Sequence, residues 1–197
     1  MTRSPFVVSL VNTKGGVGKT TTAIFLGCAL ARQGSVTVLD ADPQGSAGMW
    51  ADDADEAGDP LPFPVREANL RTLRRVDKET TDFVVVDTPP GNPALINAVL
   101  DAADLVIIPT EAGQMDLART RLTAASATGV RRAVLLTKTD HTRQSRRAAD
   151  QLATDESLVV LDTRIRRLVS YRDAVGTNPV ELGEFTDLAH ELLELIA

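Results

Sequence analysis

The chain has 197 residues, enough for one domain that buries about two thirds of its unfolded surface without disulfides or metals. Hydrophobic residues make up 43% and charged residues 24%, which excludes a disordered or coiled-coil chain, and no apolar run approaches the roughly 20 residues of a membrane-spanning helix. The net charge of -6 argues against a uniformly basic nucleic-acid binder, but Asp40 to Asp59 holds seven acids and no base, whereas Arg131 to Arg172 holds ten Lys or Arg against five acids.

From Met1 to Pro5 the chain lacks the basic start, apolar stretch and cleavage site of a secretory signal, so a cytoplasmic protein is expected. Short β-branched runs then alternate with longer Ala-rich amphipathic stretches, the pattern of a mostly parallel sheet with helices on both faces. Strands are predicted at Phe6 to Val11, Ser35 to Leu39, Asp82 to Val86, Leu105 to Pro109, Arg132 to Leu136 and Leu158 to Leu161. Helices are predicted at Lys19 to Gln33, Pro93 to Ala102, Gln114 to Ala127 and Arg143 to Thr154, with stops at Gly34 and Gly129. The acidic, proline-bearing stretch Ala51 to Val65 reads as an irregular insertion before a short helix near Asn69 to Val76. In Pro179 to Ala197 helical spacing aligns Leu182, Phe185, Leu188, Leu192 and Ile196 opposite Glu184, Asp187, Glu191 and Glu194, the pattern of a docking helix. No repeat or composition break calls for a second domain. The lone Cys28 reads as core filler, and His141 and His190 as surface residues without zinc-ligand spacing.

Between the first strand and first helix lies Asn12-Thr13-Lys14-Gly15-Gly16-Val17-Gly18-Lys19-Thr20-Thr21, the setting of a phosphate-binding loop. Glycines let backbone N–H groups converge on phosphate oxygens and the helix N-terminus adds its positive end. Lys19 would reach the β and γ phosphates and Thr20 would ligate Mg²⁺. Thr13 replaces the usual first glycine. The apolar run Phe83 to Val86 ends in Asp87, which fits an aspartate that holds Mg²⁺ through water.

Lys14-Gly15-Gly16-Val17-Gly18-Lys19-Thr20 resembles the deviant phosphate loop of the ParA/MinD ATPases, a P-loop NTPase fold. The resemblance implies ATP with Mg²⁺ bound by Lys14 to Thr21, and an ATP-sandwich homodimer in which Lys14 crosses to the partner's nucleotide. A second positive charge there would stabilise the transferring phosphoryl group. Asp40-Ala41-Asp42-Pro43-Gln44 resembles the family's first switch, which implies that Asp42 positions the attacking water and Asp40 lies in the Mg²⁺ shell; strand-end turn acids are the plain alternative. Thr88-Pro89-Pro90-Gly91 resembles the second switch. Thr137-Lys138-Thr139-Asp140 matches the guanine-reading pattern of GTPases only in part, and the resemblance implies adenine, with the Lys138 stem on the base or in solvent.

Ile108-Pro109-Thr110 and Thr163 to Arg167 extend the resemblance over nearly the whole chain, which is most similar to small plasmid-type partition ATPases, the ParF-like group, without an N-terminal helix-turn-helix extension. That implies nonspecific DNA binding by the ATP dimer, association with the nucleoid in that state, and weak hydrolysis stimulated by a ParB-type or ParG-type centromere-binding partner. Arg164, Arg166, Arg167 and Arg172, then Arg143, Arg146 and Arg147, are the candidate DNA contacts; the alternative is a solvated face paired with Asp150, Asp155 and Glu156. MinD relatives end in a basic membrane-binding helix, whereas Asp187, Glu191 and Glu194 would be repelled by anionic lipid, so no membrane partner is expected. A protein-cargo-positioning ATPase and a metabolic P-loop enzyme such as dethiobiotin synthetase remain alternatives, while one cysteine excludes the shared four-cysteine cluster of nitrogenase-iron-protein relatives.

Overall fold

A computed structural model of the chain describes residues 4–140, 142–156 and 158–196. His141 and the side chain of Ile196, both interpreted from the sequence, lie outside the described residues. Seven strands, β1 (Phe6–Leu10), β2 (Val36–Asp40), β3 (Val65–Glu67), β4 (Phe83–Asp87), β5 (Leu105–Thr110), β6 (Arg131–Thr139) and β7 (Val160–Arg166), form one sheet in the order β3-β2-β4-β1-β5-β6-β7. Every recorded pairing is parallel. The expected doubly covered α/β sheet is therefore what forms.

Alternate residues on each strand face opposite layers, so a strand buried on both sides is apolar along nearly all of its length, with Ser9 and Thr37 as buried exceptions. Val8, Leu10, Val38, Val85, Ile107 and Leu135 pack beneath α1 (Lys19–Leu30), α2 (Ser46–Glu56), α7 (Val169–Asp173) and α8 (Glu184–Ile196). Val7, Val11, Leu39, Val84, Val86 and Ile108 pack beneath α3 (Leu70–Leu73), α4 (Pro93–Ala102) and α5 (Gln114–Ser126), and α6 (Arg143–Ala153) joins α5 over β6. Helix α1 is buried on every side from Thr22 to Leu30, because α8 and α2 cover the face turned away from the sheet.

Several elements depart from the sequence reading, the short strand β3 and helix α7 among them. Ser46–Glu56 is a helix where irregular chain was expected over its second half; Ala47, Trp50 and Ala54 fall on one buried stripe, and the acids occupy the rest. The proline-bearing stretch after it folds back, burying Phe63 so tightly against α1 that a Cβ at Gly27 would lie 2.7 Å from the ring. Strand β7 begins later than expected and runs on through Arg164 and Arg166, whose side chains are exposed on an edge strand while Leu161 and Ile165 turn inward.

Four elements converge on Phe25. Its ring meets Trp50 of α2 at 6.2 Å, Tyr171 of α7 at 5.1 Å and Phe185 of α8 at 4.8 Å between centroids. Helix α8 docks as its apolar stripe predicts, but its acids are not all solvated: Glu191 accepts from the Asp162 and Thr163 amides at 2.7 and 3.0 Å, capping open hydrogen-bond positions of the edge strand. Because Phe25 anchors three helices at once, Phe25→Ala should lower the free energy of unfolding by about 3–5 kcal/mol, measured by urea denaturation.

Candidate nucleotide-binding site

Register brings the chemistry together at one edge of the sheet. Leu10 and Asp40 each pair with Asp87, so β1, β2 and β4 end level with one another and the loop after β1 emerges beside two carboxylates. In open parallel sheets this C-terminal edge, where connections diverge from the central strand, is the place for a ligand.

The loop is glycine-dependent for a backbone reason. Gly16 and Gly18 sit at φ +75° and +90°, left-handed values that other residues rarely adopt, and a Cβ at either would meet nothing within 4 Å. Space above the loop is thus open, and no side chain caps the N-terminus of α1 at Gly18. Such an uncapped helix start, preceded by exposed glycine amides, is a cradle for an anion. The loop is pinned from neighbouring strands: Asn12 donates to Pro109 O at 2.6 Å and accepts from the Lys14 amide at 2.9 Å, Thr137 donates to Val17 O at 2.9 Å, and Lys138 donates to Gly16 O.

Lys19 is 6% exposed, and its ammonium donates to Lys14 O at 3.2 Å. Burial pushes its pKa down, opposed by the charges of Asp87 and Asp42. Asp87 is buried, accepts from Thr20 Oγ1 at 2.6 Å through Oδ2, and has no partner for Oδ1. Burial pushes its carboxyl up to about 7 from 3.8, while the Thr20 hydrogen bond and the Lys19 charge resist. An orphaned carboxylate oxygen beside a threonine hydroxyl and an anion cradle fits a divalent cation. No cluster of three or more ligating side chains occurs among the described residues, which suits Mg²⁺ held chiefly by phosphate and water.

Asp40 behaves differently from its expected place in the metal shell. Its Oδ1 accepts from the Asp42 amide at 3.0 Å, and Oδ2 accepts from the Ala47 and Gly48 amides at 2.9 and 3.0 Å. The carboxylate is thereby engaged as the cap of α2, leaving Asp87 as the acid with an oxygen to spare. Asp42 is half-buried, accepts from the Gln44 amide at 3.0 Å, and faces Lys19 closely enough to influence its charge.

Two carboxylates that sequence reasoning missed, Glu111 and Asp116, meet the loop lysines. Lys14 Nζ lies 3.0 Å from Asp116 and 3.4 Å from Glu111, and Lys138 Nζ lies 3.0 Å from Glu111. The Asp116 hydrogen bond chiefly raises the Lys14 pKa. Lys138 has φ +50°, an unusual backbone for a lysine, which aims it back over the loop.

A cavity of about 490 Å³ opens beside Gly18 and Thr21. Lys138, Ile165, Leu168, Val169 and Val175 line it, with Tyr171 and Phe185 among its walls and Arg166, Arg167 and Arg172 at its edge. Its size and apolar lining suit a nucleobase. Asp140, the acid of the partial guanine pattern, lines a different cavity and binds the Thr142 amide and hydroxyl at 3.0 and 2.5 Å. That second cavity, about 540 Å³, gathers Arg146, Arg164, Arg166 and Arg167. Arg166 is paired with Glu184, and Arg172 lies 3.5 Å from Asp173, while Arg143 and Arg147 are exposed on α6. No helix among the described residues is long and apolar enough to cross a membrane.

An acid whose pKa rises on folding holds a proton in the folded chain that the unfolded chain has released, so its contribution to stability falls as pH rises from about 4 to about 7. Asp87→Asn removes that loss. Calorimetry of the ligand-free protein should show the variant gaining on the parent from pH 5 to pH 8, by about 2–4 °C in Tm for each kcal/mol relieved.

Comparison with known proteins places these features in a family. Residues 8–181 match the model of the CobQ/CobB/MinD/ParA nucleotide binding domain. The maintenance of carboxysome distribution protein A of Gloeobacter kilaueensis is 44% identical over 141 residues, 69% of this chain and 64% of that protein, so the chain spans just under two thirds of that relative. Its counterpart in Halothiobacillus neapolitanus is 29% identical over 191 residues, 90% of this chain and 88% of the relative. A plasmid partition protein of Borrelia burgdorferi, solved with AMPPNP, superposes with a TM-score of 0.80 over 98% of both chains at 16% identity, a likeness of fold alone. Cobyrinic acid a,c-diamide synthase of Mycobacterium smegmatis, solved with ADP and magnesium, gives a TM-score of 0.70 at 25% identity, covering 98% of this chain and 95% of that one. With the family model spanning most of its length, the chain belongs to the CobQ/CobB/MinD/ParA nucleotide binding domain family.

Proposed function

We propose that this protein is a ParA-type ATPase that binds ATP with Mg²⁺, closes into a sandwich homodimer, binds DNA without sequence preference and uses hydrolysis to distribute a cargo. The observation that carries the reading is Asp87 with its unpartnered oxygen, set against Thr20 and Lys19 beneath an open glycine loop. Amides from Gly15 to Thr21 and the Lys19 ammonium would hold the phosphates, and the apolar cavity beside Lys138 would take adenine. Thr20 and Asp87 would hold Mg²⁺, which neutralises phosphate charge when bound. Asp42, oriented through Gln44 and the Asp40 carboxylate, would position the attacking water, and Lys14 of the partner subunit would steady the developing charge. Asp40 supports this arrangement from behind, as the anchor of Asp42 and α2.

The DNA surface in this reading is the β6-β7-α6 edge. Arg143, Arg146, Arg147, Arg164 and Arg167 are exposed there and form no ion pair among the described residues. Arg166 and Arg172 are paired with Glu184 and Asp173, so they would contribute less directly. A dimer would present two such edges to one duplex and make DNA affinity depend on ATP. The chain then works as a single domain in the cytoplasm, on the nucleoid while ATP is bound, with a partner that stimulates its weak hydrolysis.

Two cargoes fit this cycle. A plasmid or chromosome bound through a ParB-type or ParG-type centromere-binding protein is one. A protein assembly is the other, favoured by the two relatives that maintain carboxysome distribution. The cobyrinic acid synthase likeness keeps a metabolic P-loop enzyme as the contrasting class. Turnover measured with and without DNA separates positioning from metabolism: stimulation supports the former, and indifference to DNA rejects it.

Asp42→Ala should retain ATP while losing about 100-fold or more of kcat, measured by phosphate release. Charge reversal at Arg147 and Arg164 together should weaken retention of random-sequence DNA at least about tenfold at low salt, with ATP affinity unaltered. Unchanged DNA retention would place the interface elsewhere.

A further inference from the structure

We propose that Glu111 and Asp116 are positioning residues for Lys14, holding it within its own subunit so that crossing the dimer interface requires both ion pairs to break. This rests on the sandwich reading given above.

Four charges make a closed set in the free protomer. Lys14 reaches Asp116 at 3.0 Å and Glu111 at 3.4 Å, and the other oxygen of Glu111 reaches Lys138 at 3.0 Å. The side chains of Lys14, Glu111 and Asp116 are 27%, 23% and 15% exposed, so these pairs are screened less than surface ones. Backbone contacts fix the distances: Asn12 ties the start of the loop to Pro109, two residues before Glu111, and the first turn of α5 presents Asp116, where the helix favours an acid. A lysine held this way points along its own subunit. To reach a partner's nucleotide it must leave both carboxylates.

Lys138 connects that set to the ligand. It lines the base cavity, donates to Gly16 O in the loop, pairs with Glu111, and holds a left-handed backbone that costs energy to maintain. A base stacked in the cavity competes for the space of the Lys138 stem. Shifting Lys138 hands Glu111 wholly to Lys14 and leaves the closer Asp116 pair intact, so the cage opens only when Lys14 gives up both carboxylates. Burial pushes the Glu111 carboxyl up, but the Lys138 hydrogen bond and the two lysine charges outweigh it, so Glu111 is an anion while both lysines are in place.

The test uses the full chain with AMPPNP and magnesium, comparing parent and Asp116→Asn. Acylation of Lys14 followed by mass spectrometry, at protein concentrations below dimerisation, should be at least about threefold faster in the nucleotide-free variant. In sedimentation velocity the variant should dimerise at a protein concentration roughly 3- to 20-fold lower, the range for losing one partly exposed pair in each subunit, with protomer affinity for AMPPNP unaltered. Glu111→Gln should move both readouts in the same direction, which guards against misfolding of one variant. Lys14 reactivity or dimerisation left at the parent's values overturns the cage. A parent that stays monomeric with AMPPNP overturns the sandwich reading and the cage together, whereas a dimerising parent with unchanged variants overturns the cage alone.

Discussion

The site is organised around a carboxylate kept in a place where it would rather be neutral. Asp87 ends a strand buried on both faces, and water is excluded from it by the same apolar packing that stabilises the sheet. Charge at that point is unfavourable unless a cation arrives, and Lys19, itself buried and held below its usual pKa, supplies only part of the compensation. A lysine and an aspartate that both resist their charged forms create a vacancy for a ligand carrying both signs. A triphosphate with a divalent cation meets that description: phosphate for Lys19, metal for Asp87.

The order of strands determines which residues share this point. With β1 central and β4 and β5 on either side, Lys14 to Lys19 meets Asp87 from one neighbour and Glu111 from the other, while β6 reaches over with Thr137 and Lys138. The β4 side brings carboxylate with a free oxygen and the β5 side brings carboxylates already paired. These two kinds of acid do opposite things. The first invites a ligand, and the second restrains a residue that the ligand needs.

Much of this was legible in the sequence because it is local. The glycine loop, its flanking strand and helix, and the apolar run into Asp87 are each written in consecutive residues, and period-2 and period-3.6 patterns separate the strands from the helices. What escaped was nonlocal. Helix α2 has no capping side chain of its own at Gly45; its amides are capped by Asp40, six residues before the helix starts, so acids and a proline-bearing neighbourhood outweighed its small apolar stripe. The Mg²⁺-shell place of Asp40 is implied by the resemblance of the segment Asp40 to Gln44 to the family's first switch, and the sequence does not show that its carboxylate accepts from three backbone amides. Glu111 and Asp116 carry no local motif, and they gain meaning only where the sheet brings them to Lys14, which lies 97 residues from Glu111 in the chain. The edge strand β3 is three residues long, too short for any pattern, and the arginines of β7 concealed its alternation.

Packing and chemistry are joined through the aromatic cluster. Tyr171 and Phe185, which hold α7 and α8 against Phe25, also form part of the cavity wall, so a base entering there would extend the hydrophobic core itself. Glu184 sits where the two meet, binding the Tyr171 hydroxyl and the Arg166 guanidinium, and Arg166 lines both the base cavity and the arginine-rich one. The acidic α2 and the β3 edge occupy the opposite end of the sheet from β6 and β7. The arginines of α6 and β7 are a local cluster and not one pole of the molecule, because α8 brings Glu184, Asp187, Glu191 and Glu194 beside β7, while Arg66, Arg71, Arg74, Arg75 and Lys78 lie around β3 and α3. Arg166 and Arg167 line both cavities, so the arginine cluster and the pocket beside the glycine loop share a wall.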